Sequence, residues 1–318
     1  MIISEPSNPW ISGLASLFSV EFFDLARRRL NPGGIMVQWL QAYNLLSDDF
    51  RMVVRTFRTA FPQTTVWNTS AGDYLLVGRV EPAPLDLKLF EARLRPAGVR
   101  QDLSRIGIRA WPELFAHFVL GEADAARLAE GAGLNTDNRL PLEFSALRAL
   151  YLDTTRPNRE LIRSFRTAEA PRVSPDSQGM LDRAETRYWI GMGHLRRDQT
   201  GDALAQFRRA LQVDPRHTPS ALWGAAVSLK LGRPSEALQL ARGVLDREPR
   251  NLEALVLGGY ASGALKAPRQ AITFLERASR LEPQNGQIQR ALARARLSSR
   301  PGSQAWRGDD LPALRGPQ

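Results

Sequence analysis

Proline closes three successive segments of this 318-residue chain, at Pro215, Pro249 and Pro283, and the spacing is 34 residues each time. Ala203, Ala237 and Ala271 keep the same period, in the contexts Asp-Ala-Leu, Glu-Ala-Leu and Gln-Ala-Ile. The residues leading into the prolines agree as well: Leu-Gln-Val-Asp-Pro, Leu-Asp-Arg-Glu-Pro and Arg-Leu-Glu-Pro. Two markers in phase over three copies define a repeat, and a repeat of this length restricts the fold more than any other property of the chain. Each unit holds two helices with a turn, and one such pair cannot bury its apolar side alone. Stacking the units buries it. Helices that cross closely need small side chains, which suits Gly191, Ala203, Ala210, Ala237, Ala271 and Ala278. Proline after the second helix stops it, because the ring cannot continue the hydrogen-bond ladder. An all-α superhelix is predicted over 184–297, with units at 184–217, 218–251 and 252–285. Residues 287–297 would form a final helix covering the last exposed face.

This pattern resembles the tetratricopeptide family, although Gly224 and Ala225 stand where a large residue and glycine are usual. The resemblance implies that the first helix of each pair lines a concave groove for a peptide or a partner's helix. By position in the repeat, the implied lining includes Tyr188, Met192, Arg196, Leu222, Ala226, Lys230, Val256 and Tyr260. A mixed apolar surface with two cations suits an extended or acidic segment. For each of these residues, simple packing inside the array is an equal alternative.

The formal charge of +10 would suit a nucleic-acid binder, but its make-up argues otherwise. All but Lys88, Lys230 and Lys266 of the 43 basic residues are arginine, and they are scattered along the chain, not gathered in a tract with interleaved aromatics. Without cysteine there are no disulfides and no thiolate metal sites, and His117, His194 and His217 lack metal-ligand spacing. No run reaches the roughly eighteen apolar residues of a membrane span. The start, Met-Ile-Ile-Ser-Glu-Pro, does not have the form of a signal peptide. The expected location is cytoplasmic.

Residues 1–81 read as alternating strand and helix. Ile2–Ser4 ends a strand, 17–30 is an amphipathic helix closed by Asn31-Pro32-Gly33-Gly34, and 35–40 is a buried strand. A second helix over 48–60 carries Phe50, Val53, Val54 and Phe57 on one face, and 64–67 with 74–80 form a hairpin. This succession is the second half of a methyltransferase-like α/β (Rossmann) sheet. Residues 82–150 complete that domain with helical pieces at 87–94, 102–103, 112–120 and 124–130. Residues 151–183, rich in Arg, Pro and Ser, form a linker, and 298–318 a disordered tail.

The run Ile-Ile-Ser-Glu-Pro-Ser-Asn-Pro-Trp-Ile-Ser-Gly-Leu-Ala-Ser-Leu-Phe, then Glu-Phe-Phe, Leu-Asn-Pro-Gly-Gly, Gln-Trp-Leu-Gln-Ala-Tyr and Leu-Asn-Thr-Asp-Asn-Arg-Leu-Pro-Leu-Glu-Phe-Ser, resembles the spermidine-synthase-like domain. Its nearest form is the bacterial one fused behind membrane helices. The resemblance covers residues 1–150 and implies aminopropyl transfer in polyamine biosynthesis, with decarboxylated S-adenosylmethionine or S-adenosylmethionine as cofactor of a full-length protein. Such chemistry needs a carboxylate to hold the amine and accept its proton. Glu5 and Asn8 stand at the positions of the family's two aspartates, and an amide cannot accept the proton. Gln38 and Tyr43 are the implied substrate contacts. Glu5 and Asn8 suit a strand-end turn with local caps equally well.

In this fold the nucleoside sits on a glycine-rich turn after the first strand. Neither Gly33-Gly34 nor Gly258-Gly259 follows a strand, and Met1 falls inside the fourth strand of the implied sheet. The expectation is therefore a domain lacking its cofactor half, inactive as this chain, with a full-length form that could be the cytoplasmic part of a membrane protein. The alternative is a non-catalytic scaffold in which the α/β part is only structural.

Overall fold

The structure is a computed structural model and describes residues 1–299. The tail expected over 298–318 lies outside the described residues from position 300 onward. In chain order the elements are β1 (Ile2–Ser4), α1 (Val20–Arg29), β2 (Met36–Gln41), α2 (Ser47–Ala60), β3 (Gln63–Ser70), β4 (Asp73–Arg79), α3 (Leu87–Leu94), α4 (Ala97–Arg105), β5 (Phe118–Leu120), α5 (Glu122–Ala129), α6 (Pro141–Ser145), α7 (Thr155–Ser164) and α8 (Pro175–Leu181). The repeat helices follow: α9 (Ala184–Arg196), α10 (Thr200–Val213), α11 (Thr218–Lys230), α12 (Pro234–Leu245), α13 (Leu252–Ala264), α14 (Pro268–Leu281) and α15 (Gly286–Ser298). The chain divides into two compact units. One comprises residues 1–95 and 117–178, the other 96–116 and the residues from 179 onward.

The first unit is built on a sheet of order β1-β2-β4-β3-β5. β1 and β2 are parallel, in register Ser4 to Gln38, and are linked through α1. β4 pairs antiparallel with both β2 and β3, so the β3–β4 hairpin sets its second strand against β2. Alternate residues of β4, Tyr74, Leu76 and Gly78, are buried, as the two-residue period of a strand requires. α2 lays Phe50, Val53, Val54 and Phe57 into the same core. Gly78 marks the closest approach: a Cβ there would lie 2.5 Å from Phe57 Cε1 and 2.6 Å from Phe61 Cβ.

Two buried asparagines lace the later segments to this core. Asn135 donates from Nδ2 to the Ala15 carbonyl at 2.8 Å and from its backbone N–H to Thr56 Oγ1 at 3.1 Å. Asn158 of α7 donates to the carbonyls of Ala42 (2.8 Å) and Leu45 (2.7 Å) and accepts from Ser47 Oγ (2.7 Å). These bonds satisfy backbone groups that α2 and the sheet leave open.

In the second unit the repeat markers fall where close packing needs them. Ala203, Ala237 and Ala271 are fully buried. A Cβ on Gly191 would meet Phe207 at 2.6 Å, and one on Gly259 would meet Leu275 at 2.6 Å. A further in-phase marker caps the first helices. His217, Asn251 and Asn285 stand at the N-caps of α11, α13 and α15, and the side chain of each accepts a backbone N–H.

The structure moves the expected boundaries in three places. Residues 96–116, assigned from sequence to the completion of the sheet domain, pack instead on α9. There, a Cβ on Gly193 would lie 2.7 Å from the Glu113 carbonyl oxygen and 2.8 Å from Ala116 Cβ. Residues 151–183 are not a plain linker. Polar composition hides in α7 an inward edge of Asn158 and Ile162, both buried. The helical reading of 112–120 gives way to a 3₁₀ turn over Trp111–His117 and strand β5, because Phe118 and Leu120 alternate inward against β3.

Candidate functional site

The first helices α9, α11 and α13 bring the implied lining residues into a common register. Tyr188, Leu222 and Val256 share one position of the 34-residue unit, and Met192, Ala226 and Tyr260 another. All are buried except Ala226, which is half-buried. Tyr188 packs edge-on to Trp189, with ring centres 5.3 Å apart, and lies 5.6 Å from the ring of His217. Trp223 hydrogen-bonds its hydroxyl; burial, with Glu185 and Glu253 nearby, pushes that hydroxyl up to about 12.

The two expected cations are engaged within the protein. Arg196 is ion-paired with Glu113, which is only 1 % exposed and also accepts the N–H groups of Arg109 (3.2 Å) and Ala110 (3.0 Å). Lys230 Nζ lies 2.9 Å from Asp198 Oδ1. The sequence reading missed another pair. Arg290 and Arg294 of α15 occupy the register of Tyr188 and Met192 one unit beyond Val256 and Tyr260. Burial pushes the Tyr260 hydroxyl up; Arg294 and Arg290 oppose the shift, and so does a hydrogen bond with Gln287. The 34-residue spacing carries the signal, since Arg290 and Arg294 follow Val256 and Tyr260 by one unit, but reading 287–297 as a closing helix leaves it out of the lining.

An acidic group stands on α9. Glu185 Oε1 accepts from Trp189 Nε1 at 2.6 Å, and its Oε2 lies 3.0 Å from His217 Nε2. His217 Nδ1 accepts the Ser220 N–H at 3.3 Å, so the proton of a neutral ring sits on Nε2 and faces Glu185.

In the first unit the pairing of Ser4 with Gln38 sets Gln38 beside the end of β1, which leads into Glu5. Glu5 is exposed beyond β1, and Asn8 is half-buried with a buried Oδ1 that accepts no hydrogen bond among the described residues. Gln38 is buried, and its Nε2 donates to the Trp39 carbonyl at 3.1 Å while Oε1 is left over. Tyr43 packs over the turn at Gly72. No hydrogen bond joins any two of Glu5, Asn8, Gln38 and Tyr43 among the described residues. The same holds for grouped metal ligands: no three His, Asp or Glu residues come together to hold an ion there. Nor is any helix among the described residues long and apolar enough to cross a membrane.

Residues 228–295 match the tetratricopeptide repeat family. No curated protein matches the sequence. Solved structures similar to the chain include the first TPR of Spaghetti (RPAP3) bound to the HSP90 peptide SRMEEVD, at 18% identity and a TM-score of 0.35, covering 36% of this chain and 90% of that one. The Arabidopsis OM64 TPR domain is 23% identical with a TM-score of 0.34, covering 36% and 93%. YrrB, a TPR protein with an unusual peptide-binding site, is 14% identical with a TM-score of 0.34, covering 64% and 96%. The family match places tetratricopeptide repeats over residues 228–295 of the helical unit.

Proposed function

We propose that the chain works as a docking protein whose repeats hold an extended polypeptide segment along α9, α11 and α13. The family match over 228–295 carries this reading, together with the uncharged register of Tyr188, Leu222 and Val256. Ala226, in the neighbouring register, and Trp223, bonded to the Tyr188 hydroxyl, are half-buried and would meet the segment first. A displayed random-peptide library panned on the full chain tests the proposal. Enriched peptides should bind, and Ala226→Arg should abolish their binding while circular dichroism stays unchanged. A library that yields no enriched peptide would sink the docking reading.

One observation favours a second reading for the first unit, as a spermidine-synthase-like domain. The parallel pair β1–β2 joined through α1, followed by a hairpin whose second strand lies against β2, is the order expected of the latter half of a methyltransferase-like sheet. The residues of this chain do not fit the nucleoside cofactor. Gly33-Gly34 follows α1, and Gly258-Gly259 lies inside α13 against Phe274 and Leu275. Aminopropyl transfer with Glu5, Gln38 and Tyr43 around an amine would thus belong to a longer protein. Calorimetry with decarboxylated S-adenosylmethionine should be silent for this chain. If it is silent for an upstream-extended form too, the structural-scaffold alternative stands.

A further inference from the structure

The second helix of each unit covers the same strip of the first. Gly191, Ala225 and Gly259 recur in register and are buried; a Cβ on Gly191 or Gly259 would meet Phe207 of α10 or Leu275 of α14 at 2.6 Å. One turn on, His194, Ser228 and Ser262 are buried too, and Ser262 Oγ lies 3.1 Å from Gln270 Oε1 of α14. Leu195, Leu229 and Gly263 complete the strip, the first half-buried and the other two buried. α15 repeats it one unit later as Ala293, Arg296 and Leu297, and there all three are exposed, Leu297 by 57%. By its register α15 is the first helix of a fourth unit, with its second-helix face turned to solvent.

The sequence that follows α15 carries a matching partner. Asp202-Ala203-Leu204, Glu236-Ala237-Leu238 and Gln270-Ala271-Ile272 open the second helices, and Gln304-Ala305-Trp306 comes at the same step. Pro215, Pro249 and Pro283 are likewise followed by Pro317. The connection also has the right length. From Arg196 to Thr200, Lys230 to Pro234 and Ala264 to Pro268 the helices are joined over equal stretches, and the same stretch leads from Ser298 to Gly302. Each turn holds one left-handed residue, Asp198 (φ 55°), Gly232 (φ 70°) and Lys266 (φ 57°), and Arg300 is next in that series. We infer that residues 302–310, which lie outside the described residues, dock on the Ala293–Leu297 face and complete a fourth unit with α15. The inference stands independently of the docking function proposed above.

Charge favours this occupant over a second copy of the chain. The helix Gly286–Ser298 contains arginine but no acidic residue, so two such helices face to face would set arginine against arginine. Residues 302–310 bring Asp309 and Asp310 instead. An antiparallel second helix runs back along the first, which carries these carboxylates towards the opening turns of α15. The register also sets the limit of the contact. Asp309 takes the place of Phe207 and Leu275 at the crossing, and Pro312 stands where Ala278 continues α14. The fourth second helix is accordingly short, roughly two and a half turns, and it covers its partner less completely than α10, α12 and α14 cover theirs.

Because the sequence has no cysteine, paired substitutions in the full chain report the contact without background. Ala293→Cys with Asp309→Cys should close an intrachain disulfide at least about tenfold faster than Ala293→Cys with Arg307→Cys. Arg307 shares the register of Ala205, Gln239 and Thr273, which are half-buried or exposed, and it is nearer to Ala293 in sequence, so an undocked segment would join it at least as fast. Hydrogen exchange supplies a second readout. Ala305→Arg puts a guanidinium where Ala203, Ala237 and Ala271 are fully buried, and should speed amide exchange in α15 at least about tenfold while α9 to α12 stay protected. Ala305→Ser should leave α15 close to the parent protein. Equal closure rates for the two cysteine pairs, or unchanged α15 protection in Ala305→Arg, would overturn the inference. A disulfide formed between two chains in place of the intrachain one would overturn it in favour of a second copy.

Discussion

The two units of this chain solve the burial problem in opposite ways. The sheet unit is aperiodic: its β1–β2 and β3–β5 pairings join distant segments, and single side chains such as Asn135 and Asn158 close gaps that no neighbour could fill. The repeat unit uses one solution several times, with each helix packed on its sequence neighbours and the same small residue at each crossing. Damage should spread across the first unit and stay local in the second.

The sharpest form of that comparison puts one methyl group in each unit. Gly78→Ala pushes a Cβ into Phe57 and Phe61 in mid-strand, and should cost about 3 kcal/mol in denaturant unfolding. Gly259→Ala meets only the Leu275 side chain and gains helix propensity, so its cost should be nearer about 1 kcal/mol. Equal costs would break the contrast. Next in size, Asn158→Ala strands the Leu45 carbonyl, leaves the Ala42 carbonyl with the Thr154 hydroxyl alone, and should cost about 2 kcal/mol. Hydrogen exchange should then rise across α2, α7 and β2 together; a rise confined to α7 would show that the sheet unit is less cooperative than its topology implies.

A smaller effect depends on pH. Burial opposes ionisation of Asp124, but hydrogen bonds from Thr167, Ala168 and Arg127 outweigh it and hold the carboxyl below the usual range. Its contribution is therefore complete above the ordinary carboxylate pKa of about 3.9 and is lost as pH falls through the lowered folded value. Asp124→Asn should flatten the acid limb of the stability curve; an unchanged limb would assign the loss to other carboxylates. Smallest, Asn285→Ala removes the cap of α15 and should cost about 1 kcal/mol, with faster exchange in α15 alone. If α13 and α14 loosen with it, the repeats are more strongly coupled than nearest-neighbour packing predicts.

The same contrast explains what could be read from the chain. A period needs only a few markers, and Ala203, Ala237 and Pro249 mark units whose first residues, 184, 218 and 252, open α9, α11 and α13. The α2 face was legible because Phe50, Val53, Val54 and Phe57 follow the helical spacing. Segment 96–116 was not, because its tie to α9 rests on two groups far apart in sequence: the Glu113 carboxylate and the side chain that Gly193 lacks. α7 was hidden by its own composition, since the residues that dock it are one asparagine and one isoleucine among arginines. Of the candidate groove, the apolar register was readable and its charges were not. Arg196 and Lys230 looked available until their partners Glu113 and Asp198 came into view, while Arg290 and Arg294 sat in a helix taken only as a lid.

The contact of residues 111–116 with α9 also limits how this array could be rebuilt. A solenoid is a part that can in principle be lengthened at either end by splicing in more units. Here the first end is already closed: a unit placed ahead of α9 would have to displace Glu113 and Ala116 from the notch over Gly193 and leave Arg196 without its acid. Anyone borrowing the repeats as a portable module must carry 96–116 along with the residues from 179, two pieces of one part separated by 62 residues of another domain.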